Sequence, residues 1–120
     1  MAVLGIDHVQ IAAPSGCEPA ARRFYGELLG LDEIPKPEPL QARGGVWFRA
    51  GAQELHIGVE EPFAAARKAH PGFVDSDLGA LRDRLRAADV DYRDDDKIAG
   101  ADRLFVADPF GNRLEVRQAV

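Results

Sequence analysis

Apolar and polar residues alternate from Val3 to Ala13, with Ile6, Val9 and Ile11 set around His8 and Gln10. That period of two predicts a strand, and Pro14, Ser15 and Gly16 end it. The period then lengthens. Ala20, Phe24 and Leu28 recur four apart with Ala21, Tyr25 and Leu29 beside them, which predicts an amphipathic helix. Pro19 suits its first turn, where a missing N–H costs little, and Gly30 supplies its stop. Leu31 to Ile34 reads as a short strand, and Pro35, Pro37 and Pro39 as a loop, because proline cannot donate to a sheet interior. Gly45 to Ala50 and Gln53 to Glu60 predict a hairpin about Gly51 and Ala52. Glu61 to Ala69 is left as a connector with room for a helical turn.

The second half repeats this order. His70 to Asp75 is extended. Leu78, Leu81, Leu85 and Ala88 mark a helix face, with Asp77 placed to cap it. Val90 to Arg93 predicts a short strand, Asp94 to Asp96 an acidic turn, and Arg103 to Ala107 and Arg113 to Gln118 two strands around the turn Asp108-Pro109-Phe110-Gly111-Asn112. The predicted class is α+β: two tandem βαβββ modules in one domain over residues 1–120, with module 1 at 1–61, a connector at 62–68 and module 2 at 69–120. The repeat is about 62 residues, the spacing of His8 and His70.

Bulk properties narrow the function classes. A net charge of −5 and a pI near 5.1 argue against nucleic acid as a partner. Arg82, Arg84 and Arg86 alternate with Asp83 and lie near Asp89, as on a solvated helix face. No apolar run approaches the length of a bilayer span, and the start of the chain lacks a signal-peptide pattern. One cysteine, Cys17, cannot form an intrachain bridge. These features lead to the expectation of a cytoplasmic protein with no membrane partner.

All three histidines fall within the repeat. His8 precedes His56 by 48 residues, and His70 precedes Glu115 by 45. Strand alternation puts Glu54 and His56 on one face and Leu55 and Ile57 on the other. The segment Leu55-His56-Ile57 matches Leu114-Glu115-Val116, so His56 is the preferred counterpart of Glu115, with Glu54 the alternative by raw spacing. Imidazoles and a carboxylate suit Fe²⁺, Ni²⁺, Mn²⁺, Co²⁺ or Zn²⁺. The competing reading is a set of half-buried histidines satisfied by backbone groups, with Glu115 in an ion pair with its strand neighbours Arg113 and Arg117.

Four segments carry a family resemblance: His8-Val9-Gln10-Ile11; Phe24-Tyr25-Gly26-Glu27-Leu28-Leu29-Gly30-Leu31; Glu54-Leu55-His56-Ile57-Gly58; and Arg103 through Asp108-Pro109-Phe110-Gly111-Asn112 to Glu115. Together they resemble the vicinal oxygen chelate superfamily, which includes glyoxalase I, bleomycin-resistance proteins and extradiol dioxygenases. The resemblance implies curved mixed sheets around a cavity, a homodimer, and a divalent metal held by His8, His70 and Glu115, with His56 or Glu54 at a fourth position. It differs from glyoxalase I in offering histidine at that fourth position.

On that resemblance the chain is expected to be a metal-dependent lyase, isomerase or ring-cleaving dioxygenase that chelates vicinal oxygens of a small-molecule substrate. Glu115 and His56 are the expected catalytic groups, and Trp47, Phe48, Phe63 and Phe110 the expected substrate walls. The alternative is a metal-free small-molecule binding protein of the bleomycin-resistance type. Cys17 and the Asp94–Asp96 run are assigned no role.

Overall fold

Each half of the chain builds its own four-stranded mixed sheet, and the two sheets share one strand plan. The computed structural model describes residues 2–120, which divide into units meeting between Ala64 and Ala65. The first unit contains β1 (His8–Ala13), α1 (Glu18–Ala21) running on as a π-helical segment (Arg22–Leu28), β2 (Asp32–Ile34), α2 (Glu38–Gln41), β3 (Val46–Ala50) and β4 (Gln53–Val59). The second contains β5 (Gly72–Asp75), α3 (Leu78–Ala87), β6 (Tyr92–Asp95), β7 (Arg103–Ala107) and β8 (Arg113–Gln118). The sheet orders are β1-β4-β3-β2 and β5-β8-β7-β6, so in each the opening strand lies parallel to the last and the remaining pairs are antiparallel. The two repeated βαβββ modules are thus present.

Alternation decides what each sheet buries. In the first unit Val46, Phe48, Leu55 and Ile57 are buried, as are Ala21, Phe24 and Tyr25 from the helix. Tyr25 meets Phe24 edge-on at 5.0 Å and Phe48 at 5.9 Å, spacings at which aromatic pairs add to plain area burial. In the second unit Leu104, Val106, Leu114 and Val116 lie under Leu78, Leu81 and Leu85 of α3, all nearly inaccessible to solvent. Asp77 caps α3 as expected, accepting from the Ala80 N–H at 3.0 Å.

Several boundaries differ from the sequence reading. β1 begins at His8 and not at Val3, because its partner β4 begins at Gln53: the Asp7 carbonyl still accepts from the Glu54 N–H at 3.2 Å, and the residues before it lie past the end of β4. The helix predicted from Ala20 to Leu29 changes type: the Leu29 N–H donates to the Phe24 carbonyl at 3.0 Å, a five-residue step that marks the π form. The proline-rich loop contains the one-turn helix α2, with Pro39 within its first two positions, where no N–H is required. The connector carries no helical turn. β6 lies two residues later than expected: Asp94 and Asp95 belong to the strand, paired with Leu104 and Arg103, and not to a turn.

Two local devices set the strands that carry the candidate site. Gly45 has φ +90, and a Cβ there would lie 2.1 Å from the Ile57 carbonyl oxygen, so only glycine lets β3 start this close to β4. The Asp108–Asn112 turn is tied by the Asp108 carboxylate, which accepts from the Phe110 N–H (2.9 Å), the Asn112 N–H (2.8 Å) and the Asn112 side-chain amide (2.9 Å). That clamp fixes the register in which Arg113 and Glu115 leave the turn.

Candidate functional site

Register makes the two modules equivalent residue by residue. In the first sheet His56 is flanked by Gln10 on β1 and Trp47 on β3. In the second, Glu115 is flanked by Gly72 on β5 and Phe105 on β7. Each central residue sits between two buried aliphatics, Leu55 and Ile57 or Leu114 and Val116. Two residues before Gln10 and Gly72 stand His8 and His70. The opening histidine of each module therefore occupies the same place relative to a polar residue on its last strand and an aromatic beside it.

In the first unit these residues form a stack. The His56 ring lies between His8 (centroids 4.2 Å, planes 16° apart) and Trp47 (3.6 Å, 3°). His56 is buried, and its Nε2 is 2.9 Å from Glu54 Oε1. The carboxylate can only accept when ionised, so the histidine donates from Nε2. His8 is more exposed, and its Nδ1 meets Asp7 Oδ2 at 2.9 Å. Ring lone pairs lie in the ring planes. Stacked as they are, His8 and His56 aim theirs along nearly parallel planes, and His56 would have to turn out of the stack to share an ion with His8.

In the second unit His70 Nδ1 is 3.1 Å from the Lys68 carbonyl oxygen, so Nδ1 carries the proton. Its Nε2 stands 3.4 Å from Glu115 Oε1, and its ring meets Phe105 edge-on at 5.6 Å. Glu115 is largely enclosed, with 13% of its side chain exposed, and its Oε1 accepts from Arg103 at 3.1 Å. Arg103 also reaches Asp95 on β6. Arg117 approaches Glu115 only to 4.0 Å, so the chief partner of this carboxylate comes from the neighbouring strand and not from its own.

His8 and His70 thus share a second property. Each is held through Nδ1 by an acceptor oxygen, which leaves Nε2 with its lone pair in the neutral ring. Metal-bound histidines are anchored this way, by a carboxylate or carbonyl behind the ring. By residue type the donors fit a divalent transition metal, since each unit offers imidazole and carboxylate. Among the described residues no three or more His, Cys, Asp or Glu side chains are gathered as a metal cluster; the donors stand in pairs.

The expected aromatic walls divide. Trp47 faces His56, while Phe48, one residue on, is fully buried against Tyr25, so alternation assigns it to the core and not to a ligand. Phe63 and Phe110 are half-buried. Sequence reasoning missed Phe105, Arg103, Arg93 and Asp95, which share the face of the second sheet that carries Glu115. The alternation of Arg103, Phe105 and Ala107 against buried Leu104 and Val106 was the available signal. Arg82, expected on a solvated helix face, is instead mostly enclosed between Asp94 and Asp102, at 3.0 and 2.6 Å.

A duplicated βαβββ module with polar residues on one face of each sheet defines a fold class shared by many small-molecule enzymes and binding proteins. The sequence matches the glyoxalase/bleomycin resistance protein/dioxygenase superfamily over residues 5–116, and the chain belongs to that superfamily. It is similar to a solved glyoxalase family protein from Bacillus anthracis, at 48% identity and TM-score 0.95 over 100% of this chain and 98% of the other. Lactoylglutathione lyase from Agrobacterium tumefaciens (21% identity, TM-score 0.74, covering 98% and 95%) has the same fold. So has a genomically encoded fosfomycin resistance protein from Listeria monocytogenes (13%, 0.76, covering 99% and 96%). Comparison with curated proteins finds no match. No helix among the described residues is long and apolar enough to cross a membrane.

Proposed function

We propose that the protein is a metal-dependent enzyme of the glyoxalase/dioxygenase type, acting as a lyase, isomerase or dioxygenase on a small oxygenated molecule. His8, His70 and Glu115 would hold the divalent ion (Fe²⁺, Ni²⁺, Mn²⁺, Co²⁺ or Zn²⁺). The observation that carries the reading is the shared anchoring of His8 and His70 through Nδ1, which keeps both Nε2 lone pairs available. Superfamily membership supports it, since members typically use divalent metals. The ion would act as a Lewis acid toward two adjacent oxygens of the substrate.

The chain's own residues supply the rest. His56 keeps the fourth ligand position as one option, with Glu54 its alternative. Its stack and its bond to Glu54 favour a second role, proton transfer at Nδ1, with Glu54 fixing the tautomer through Nε2. Trp47 holds that ring in place, and Phe63 and Phe110 are retained as substrate walls. A homodimer belongs to this reading, supported by exposed Val3, Leu4 and Ile6 leading into the edge strand β1. A cytoplasmic setting is supported by the buried, unpaired Cys17.

A second reading has its own support: Glu115 already shares its charge with Arg103, whose guanidinium cannot deprotonate, as would suit a metal-free binding protein. Elemental analysis of protein purified without oxygen or chelators, combined with thermal melting in added Ni²⁺, Fe²⁺, Mn²⁺, Co²⁺ or Zn²⁺, separates the two. The enzyme reading expects retained metal and a raised Tm, both lost in His8→Ala, His70→Ala and Glu115→Gln. No metal and no Tm response to any of the ions would overturn it.

A further inference from the structure

The polar face of the second sheet is strongly basic in a chain that is acidic as a whole. Cross-strand register puts Arg93, Phe105, Glu115 and Gly72 in one row, with Asp95, Arg103 and Arg117 in the next and Ala107 and Arg113 on the other side. Four arginines thus share a face with two carboxylates, although the chain carries 20 acidic residues against 15 basic ones.

Three of those guanidiniums gather on one ring. Arg113, Arg103 and Arg93 lie 4.4, 5.1 and 5.7 Å from the Phe105 centroid. Arg103 is neutralised, since it takes up both Asp95 and Glu115. Arg93 and Arg113 have no carboxylate partner among the described residues. A single ring quadrupole offsets only part of the repulsion between cations held this close, each contact being worth about 0.5–1 kcal/mol where exposed. Arg103 adds an independent sign of unmet polarity: its Nε is buried and has no acceptor.

The geometry points to an oxyanion subsite: Arg93 and Arg113 bind a carboxylate or phosphate group of the small-molecule ligand, and Phe105 floors the apolar part next to it. Planar guanidinium forks match the paired oxygens of both groups. A single ammonium or a neutral amide donor would not favour an anion in the same way. The inference rests on the proposed use of this face as the ligand-binding face, and it names the ligand class: an oxygenated molecule that carries a negative charge. His70 and Glu115 stand at the edge of the same ring, so a ligand anchored by its anion on the arginines would bring its neighbouring atoms to them.

Titration calorimetry on the intact protein at low ionic strength tests this, with benzoate and inorganic phosphate as probes and benzamide as the neutral control. Binding of benzoate, phosphate or both is expected, with none for benzamide. Benzoate alone assigns the subsite to carboxylates, and phosphate alone to phosphoryl groups. Arg93→Gln and Arg113→Gln should each weaken binding by at least about fivefold and the double variant abolish it, while Arg117→Gln, which removes a charge of the same sign from the same face, should not. Failure of both probes on the native protein, or equal binding by the double variant, overturns the inference. Metal uptake is read separately on the native protein. Its absence with anion binding intact defeats the proposed metal chemistry alone, and uptake without anion binding defeats this subsite alone.

Discussion

The imidazole of His56 lies flat against the indole of Trp47, with centroids 3.6 Å apart and planes within 3° of parallel. Trp47 faces His56 directly across the β3–β4 ladder, so the stack is a cross-strand pair on the polar face of the first sheet, closed on its other side by His8. A polar ring is thereby buried with its hydrogen bond to Glu54 intact.

Removing that ring should be costly. His56→Ala leaves a gap between Trp47 and His8 and strips Glu54 of its donor, and is expected to destabilise the protein by about 2–4 kcal/mol. His56→Phe keeps the stack but loses the hydrogen bond, and should cost less. Urea unfolding monitored by the single tryptophan checks both, since Trp47 is itself the reporter.

Asp7 is exposed, yet it holds His8 through Nδ1. Asp7→Asn should leave Tm nearly unchanged while weakening metal binding roughly tenfold, the effect of losing a carboxylate behind a ligating histidine. Calorimetric titration of Ni²⁺ or Zn²⁺ into the two proteins measures it. An unchanged affinity would remove Asp7, and with it the Nδ1 argument, from the site.

Arg103 competes with any metal for Glu115. Arg103→Met should tighten metal binding, because a fixed positive charge leaves the carboxylate. The same change should lower Tm, since Asp95 and Glu115 would then face each other without their shared cation. That loss should exceed the effect of Arg86→Ala, whose exposed pair with Asp83 is worth about 0–1 kcal/mol.

Glu18 ties the helix to the start of β3, accepting the Gly45 N–H at 2.7 Å. That N–H holds its carboxyl below the usual glutamate range. A carboxyl lowered on folding stabilises the protein above its unfolded value, about 4.3, and loses that contribution as the pH falls through the lower folded value. Glu18→Gln should therefore reduce stability at pH 7, by about 1–2 kcal/mol for a charged hydrogen bond, and flatten the acid limb of the stability profile. Unfolding curves between pH 3 and 7 are the measurement; parallel profiles for the two proteins would contradict the assignment.

Legibility in the sequence followed the range of the forces involved. Arg103–Ala107, Arg113–Gln118 and the Asp77-capped start of the second helix were readable to the residue, because alternation, helical period and caps act within a few positions. Asp94 and Asp95 were misread as a turn, since only their partners Leu104 and Arg103 draw such polar residues into a strand. Arg113 and Arg117 looked like the natural companions of Glu115 by proximity in the chain, yet Arg103 is the nearer one through cross-strand register.

By itself the sequence determined a duplicated βαβββ chain and the equivalence of Leu55-His56-Ile57 with Leu114-Glu115-Val116, because period and repetition are properties of neighbours along the polypeptide. Only the tertiary structure decided that Trp47 and Phe105 occupy matching places, that Phe48 belongs to the core, and that three arginines gather on one ring. Those facts depend on which strands lie side by side and in what register. A shift of one residue would exchange the faces and send every one of these side chains to the other side of its sheet.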